Sequence, residues 1–182
     1  MEAIRTRRSI RRYADRDVEK DLIIQVLDAA RHAPSASNIQ PWKFVVIRDL
    51  KTREKLSTVH KHSAFLKGAP VVIVVLGNES LSEHHFPVDC AAAIENLLLA
   101  AHGLGLGCCW VAVYSTRSTE REDIVRSILA IRKEYRIVAM VGIGYPAEQP
   151  KPRKMKKLEE IVHWYSGNEI GSSACQIDDL SR

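Results

Sequence analysis

Four arginines and a serine fall within seven residues, Arg7-Arg8-Ser9-Ile10-Arg11-Arg12-Tyr13. A phosphate needs several hydrogen-bond donors and compensating positive charge, and guanidinium forks supply both. The Ser9 hydroxyl and neighbouring backbone amides add donors. The competing reading is a basic tail that faces solvent or nucleic acid. Ile10 and Tyr13 speak against a free tail, because each offers an anchor to a core.

A second group is Pro34-Ser35-Ala36-Ser37-Asn38-Ile39-Gln40-Pro41-Trp42. Polar side chains between two prolines can grip the edge of a polar heterocycle while the prolines limit loop entropy. The same residues also make ordinary turns. A third group, Gly103-Leu104-Gly105-Leu106-Gly107-Cys108-Cys109-Trp110, follows a helix pattern and precedes a strand pattern. That order is the reverse of a dinucleotide fingerprint, in which glycines follow a strand and open a helix. Here glycine ends a helix and lets backbone approach something flat. Trp110 reads as core or as cofactor contact. A fourth group is Gly142-Ile143-Gly144-Tyr145-Pro146, followed by Lys151-Pro152-Arg153-Lys154. A basic loop after a strand can meet a phosphate or can simply be solvated. His84, His85 and Phe86 lie in a polar stretch. The histidines are expected to be exposed or to touch substrate, and Phe86 to cover a ligand as a lid.

The elements that carry these groups follow from apolar spacing. Ile23, Val26, Leu27 and Ala30 predict a helix over 18–31, stopped at Pro34. Phe44–Ile47 reads as a strand. Asp49 caps a helix over 53–59. Val71–Leu76 is an apolar run without alternation, which predicts a strand covered on both faces. Residues 79–87 read as a loop. Ile94, Leu97, Leu98 and Ala101 predict an Ala-rich helix over 88–102, apolar almost all round and therefore central or at a subunit interface. Residues 108–114 and 136–144 read as strands. Ser118 or Thr119, with Glu122 in the first turn, opens a helix reaching Leu129. A short helix is expected near 158–165 and a polar, mobile tail from Ser166. The class is α/β or α+β around one central sheet.

The chain has 182 residues, 46% hydrophobic and 27% charged, with a formal net charge of +5. This length suits one domain with its own core. No apolar run approaches a membrane span, so no membrane partner is expected. Residues Met1–Arg5 show no apolar signal region. The four cysteines, Cys90, Cys108, Cys109 and Cys175, form no Cys-x-x-Cys pair and no zinc pattern, so no metal is expected. Buried, reduced thiols and a cytoplasmic location fit that usage. Adjacent Cys108 and Cys109 should point to opposite faces of a strand.

Four motifs in order carry a family resemblance: Arg7–Arg11, Ala33–Trp42, Asn96–Gly105 and Gly142–Pro146. Together they resemble the nitroreductase family, over about residues 4–164. The resemblance implies an α+β three-layer fold, with a central, mostly antiparallel sheet flanked by helices. It implies one FMN-binding domain over 1–165 and an intertwined homodimer with a flavin at each subunit interface. By position, Arg7, Arg8, Ser9 and Arg11 would contact the ribityl phosphate and the pyrimidine side of the flavin. Ser35, Ser37 and Asn38, with Pro34 and Gln40 beside them, would reach the same flavin from the partner subunit. Backbone near Cys108, Cys109 and Trp110 would line the ring, and Arg153 and Lys154 would close the phosphate end. Two departures stand out. Met155 lies where similar proteins often carry arginine, and His60–Phe65 matches the family pattern poorly.

The implied activity is a ping-pong oxidoreduction. Hydride from NADH or NADPH reaches flavin N5, and a small electron acceptor (a nitroaromatic, a quinone or free flavin) then takes it. Arg11 would stabilise negative charge at flavin N1 and O2. No side chain is required as nucleophile, and no catalytic residue is assigned. Two other readings remain. A flavin-binding protein without turnover would be yellow but not bleached by NAD(P)H. A basic nucleic-acid binder would be colourless, with steep salt dependence.

Overall fold

The unbroken apolar run becomes the middle of a sheet. In the computed structural model, which describes residues 1–164, strands β1 (Trp42–Ile47), β2 (Val71–Asn78), β3 (Gly107–Ala112) and β4 (Tyr135–Gly144) form one sheet in the order β1-β2-β4-β3. Every pairing is antiparallel. Five helices accompany them: α1 (Glu2–Thr6), α2 (Lys20–Arg31), α3 (Leu50–Ser57), α4 (Phe86–Gly103) and α5 (Glu120–Leu129). The α+β expectation with a mostly antiparallel sheet holds.

The run without alternation is explained by two cores. Val71, Ile73 and Val75 pack with α2 and α4 residues such as Val26, Ile94 and Leu97. Val72, Val74 and Leu76 pack on the other face with Leu56 of α3 and Val125 of α5. Alternate side chains of a strand point to opposite faces, so a strand covered on both sides needs apolar residues throughout. Each fully buried valine or isoleucine contributes about 1.5–3 kcal/mol by leaving water.

Element ends differ from the sequence reading in instructive ways. Helix α3 begins at Leu50, because the Asp49 carboxylate accepts from the Thr52 amide at 2.8 Å and caps it there. Helix α4 begins at Phe86, with Pro87 in its first turn, where the missing amide costs nothing. Near residue 158 only a 3₁₀ turn forms, Leu158–Glu160. The tail expected from Ser166 lies outside the described residues. Helix α1 had no counterpart in the apolar spacing.

Two compact units divide the chain, Met1–Pro150 and Lys151–Arg182. The first contains every strand and both cores. Among the described residues, no helix is long and apolar enough to cross a membrane.

One ion cluster locks α5 to β4. Glu122 is fully buried. Its carboxylate accepts from Arg136 at 2.7 and 3.0 Å and from the Ile137 amide at 2.9 Å. Arg136 also reaches Glu79 at 2.8 Å and lies 4.8 Å from the centre of the Tyr114 ring. Every oxygen of this buried acid has a partner, which is the condition for burying charge without large loss.

Candidate functional site

The arginine segment lies along the free edge of β3. Ser9 bridges Cys108 in parallel, and the Ile10 amide donates to the Cys108 carbonyl at 3.0 Å. Further along, Tyr13 bridges Pro146, and its hydroxyl donates to the Ile10 and Gly142 carbonyls at 2.7 and 3.1 Å. Burial pushes the Tyr13 hydroxyl well above its usual pKa, so it stays a donor. Ile10 and Tyr13 are thus the anchors the sequence suggested, and Arg7–Tyr13 is no free tail. Gly107 makes this docking possible: a Cβ there would sit 2.8 Å from Ile10. The approach that glycine permits at this position is therefore by the chain's own isoleucine. Gly105, at φ +77°, takes the left-handed turn that starts β3.

Laid out beside a strand, the segment alternates. Ile10 points inward, and with Arg8 it lines a small cavity of about 200 Å3 that also holds His102 and Glu148. Arg8 donates to the Arg5 and Arg7 carbonyls, each at 2.8 Å. Ser9 and Arg11 fall on the other side, toward Cys109, whereas the Arg7 side chain lies against Glu95 of α4. Arg11 and Cys109 share the wall of a larger cavity, about 540 Å3, with Trp110, Phe65, His60–His62 and Arg121. Trp110 is 42% exposed and belongs to this cavity, not to the core.

Electrostatics along the segment are unbalanced toward positive. The Arg7 Nε is buried and has no hydrogen-bond partner among the described residues; Glu95 Oε1 stands 3.7 Å away, within ion-pair range but beyond a hydrogen bond. A buried donor left unpaired costs about 1–3 kcal/mol. Burial pushes the Cys109 thiol up, while the Arg11 guanidinium, the Ser9 hydroxyl and the Arg7 guanidinium pull it back. Cys108 points the other way, into the core beside α4, and burial takes its thiol up to about 12. The two adjacent thiols do face opposite ways. Glu148, which sequence reasoning missed, accepts from the Arg11 and Arg12 amides at 2.6 and 3.0 Å and fixes the segment's far end.

The Pro34–Trp42 stretch forms a strained turn elsewhere in the chain. Ser37, Asn38 and Gln40 have φ of 49°, 55° and 54°. Left-handed backbone is unfavourable for residues with a Cβ, and such strain clusters at ligand clamps. Ser35 acts as a scaffold: its hydroxyl oxygen accepts from the Gln40 amide at 2.9 Å. Asp89, buried at the start of α4, accepts from the Ala36 amide at 3.1 Å. An acid in a helix's first turn reads from sequence as dipole compensation, so its anchoring role was not legible. Ser37, Asn38 and Gln40 are exposed, as is Pro34. Among the described residues, no hydrogen bond or ion pair joins this turn to Arg7–Arg12 of the same chain.

Phe86 corrects an expectation. It is 1% exposed and packs edge-on to Tyr114, with ring centres 5.3 Å apart, so it is core and not a lid. His84 and His85 are exposed. Arg153 and Lys154 lie in the second unit, exposed and outside any helix or strand. Among the described residues, no cluster of three metal-ligating side chains occurs.

A family model described as Nitroreductase family matches residues 4–62 and 57–145. The chain belongs to the nitroreductase family. A Methanothermobacter thermautotrophicus protein, provisionally named NADH dehydrogenase/NAD(P)H nitroreductase, is 42% identical over 163 residues, 88% of this chain and 84% of that protein. An FMN-dependent nitroreductase of Clostridium difficile is 31% identical with a TM-score of 0.81, over 89% of this chain and 96% of that structure. A provisionally assigned nitroreductase of Desulfovibrio desulfuricans, solved in complex with FMN, is 30% identical with a TM-score of 0.79, over 90% and 95% of the two chains. The family match in this nitroreductase-family chain runs through His60–Phe65, the stretch expected to depart from the pattern, and His60, Lys61, His62, Ala64 and Phe65 line the same cavity as Arg11.

Proposed function

We propose that the chain is an FMN-dependent oxidoreductase that passes hydride equivalents from NADH or NADPH to a small electrophilic acceptor in a ping-pong cycle. The observation that carries this is the cavity where Arg11, Cys109 and Trp110 meet beside a segment whose Arg7 carries a buried, unpartnered Nε. An anionic group with a flat, partly polar ring fits that donor set. FMN is such a group, and relatives at about 30% identity are described as FMN-dependent or solved with it. When bound, FMN supplies two-electron chemistry between nicotinamide and acceptor.

The chain's own residues do the rest. Arg7 and Ser9 offer donors to the cofactor's anionic end. Arg11 sets a guanidinium on the cavity wall, where it would stabilise a bound flavin's anionic ring edge, and such fixed charge needs no reorganisation. The backbone at Cys109 and Trp110 forms a flat wall. The turn at Ser37, Asn38 and Gln40 completes the site from a second copy of the chain. Two observations favour that assembly: the turn is exposed and strained yet unconnected to the arginines of its own protomer, and Val88 of α4 is 70% exposed. Three buried free thiols, Cys90, Cys108 and Cys109, suit a reducing cytoplasm.

The test is an absorption spectrum of the purified protein under argon. A yellow protein bleached by NADH or NADPH and recoloured by a nitroaromatic or quinone supports the proposal. A colourless protein that takes up no FMN refutes it, and a yellow one that neither nucleotide bleaches leaves a binding protein without turnover.

A further inference from the structure

The cavity that holds Arg11 carries more positive charge than the proposed cofactor's ring requires. His60, Lys61 and His62 line one side and Arg121 another, and no aspartate or glutamate lines it among the described residues. Among the described residues, no carboxylate lies within ion-pair distance of Arg11, Lys61 or Arg121, whereas Arg16, Arg31, Arg48 and Arg136 all have one. Asp123 takes Thr119 and Arg126, and Glu148 takes backbone amides. The His60 and His62 rings stand 4.9 Å apart, and His60 titrates below its ordinary range, through burial first and then through repulsion by Arg121, His62 and Lys61. The cations on this wall are Arg11, Lys61 and Arg121, with the two imidazoles beside them. Arg121 moreover sits in the first turn of α5, where the helix dipole disfavours a cation. Both Lys61 and Arg121 are exposed, so neither is needed for the core.

Resting on the flavin reading above, we infer that Lys61 and Arg121 are specificity-determining residues that select acceptors bearing a negative charge, of the aromatic carboxylate or sulfonate class. The aromatic body of such an acceptor meets Trp110 and Phe65, and its anionic group meets the His60–His62 and Arg121 rim.

An isosteric pair tests this: 4-nitrobenzoate against neutral 4-nitrobenzamide. In a ping-pong cycle, kcat/KM for the acceptor reports the oxidative half-reaction alone, so nucleotide charge does not enter. The ratio of the two kcat/KM values is measured for the wild-type holoprotein, for Lys61→Gln and Arg121→Gln, and for the double variant. Calorimetric Kd values of both compounds on the oxidised holoprotein, and the Kd of FMN, accompany it. The benzoate-to-benzamide ratio should fall about three- to tenfold in the double variant, as two exposed charges lost together imply. The Kd ratio should move alike, the FMN Kd should stay put, and added NaCl should shrink the wild-type preference. An unmoved ratio in a flavin-loaded double variant overturns the rim and leaves the flavin reading standing. A parallel rise in FMN Kd also overturns it, by giving these cations to the cofactor. A wild-type protein that takes up no FMN overturns the flavin reading, and the rim falls with it.

Discussion

Arg136 and Arg7 are both largely buried arginines, each 16–18% exposed, and each stands near a glutamate. They differ in what surrounds them. Arg136 spends its guanidinium on Glu122 and Glu79 at 2.7–3.0 Å, and the enclosed acid also takes a backbone amide. Arg7 has a carboxylate only at 3.7 Å and an Nε with no partner. A buried guanidinium with each of its three nitrogens hydrogen-bonded to a carboxylate ties elements together. One with a buried donor left over is, on the function proposed above, available to a bound cofactor. Residue type does not separate these roles; the count of satisfied donors does.

The comparison breaks most visibly at Glu122. Replacing Glu122 by Ala leaves Arg136 buried beside an absent acid and should cost about 3–5 kcal/mol in urea-induced unfolding. A loss under 1 kcal/mol would show that the cluster is not the clasp between α5 and β4. Arg7→Met should do the opposite. The apoprotein should keep its thermal midpoint, since no good hydrogen bond is lost, while FMN affinity drops by about 1.5–3 kcal/mol in a flavin titration. Equal damage to stability and to affinity would erase the distinction. Mixing Arg7→Met protein with Asn38→Ala protein should restore one intact site per heterodimer, read as recovered flavin binding. No recovery would argue against a site shared between subunits.

Smaller effects sharpen the picture within the arginine segment. Arg8 donates to carbonyls of its own segment, on the side of Ile10, so Arg8→Ala should change FMN affinity by no more than about 0.5 kcal/mol. A loss as large as that of Arg7 would mean that the segment rearranges when loaded. The thiols offer a pH test. Burial raises both, but Cys109 is pulled back by Arg11 and Ser9, whereas Cys108 stands at about 12. Alkylation needs the thiolate, so iodoacetamide labelling should climb as pH rises through the alkaline range, with Cys109 ahead of Cys108. FMN should protect Cys109. Finally, Ser37→Gly relieves one left-handed residue and should raise stability by about 0.5–1 kcal/mol, visible as a small rise in the thermal midpoint.

Much of the fold was readable from local pattern. The Val71–Leu76 run announced a doubly covered strand, Asp49 a cap, and Ile10 with Tyr13 a docked segment. Helix starts were harder, because they depend on single hydrogen bonds such as that from the Thr52 amide. The site was readable as composition but not as arrangement. Arg7, Arg8, Ser9 and Arg11 looked like one cluster, yet pairing with β3 sends alternate side chains to opposite sides. Phe86 looked available in a polar stretch, yet Tyr114 draws it into the core. His60–His62 and Arg121 carried no motif, because residues sixty apart in sequence share a wall only once α5 and the segment after α3 are in place.

By itself, the amino-acid order determined which stretches bury, which turn and where positive charge accumulates, since these follow from side-chain hydrophobicity, backbone preference and charge acting over a few residues. Only the tertiary structure decided which arginine is answered and which is left wanting, and which cations share one cavity. Those outcomes depend on distances between segments remote in the chain, and hydrogen bonding and desolvation change sharply over about an ångström.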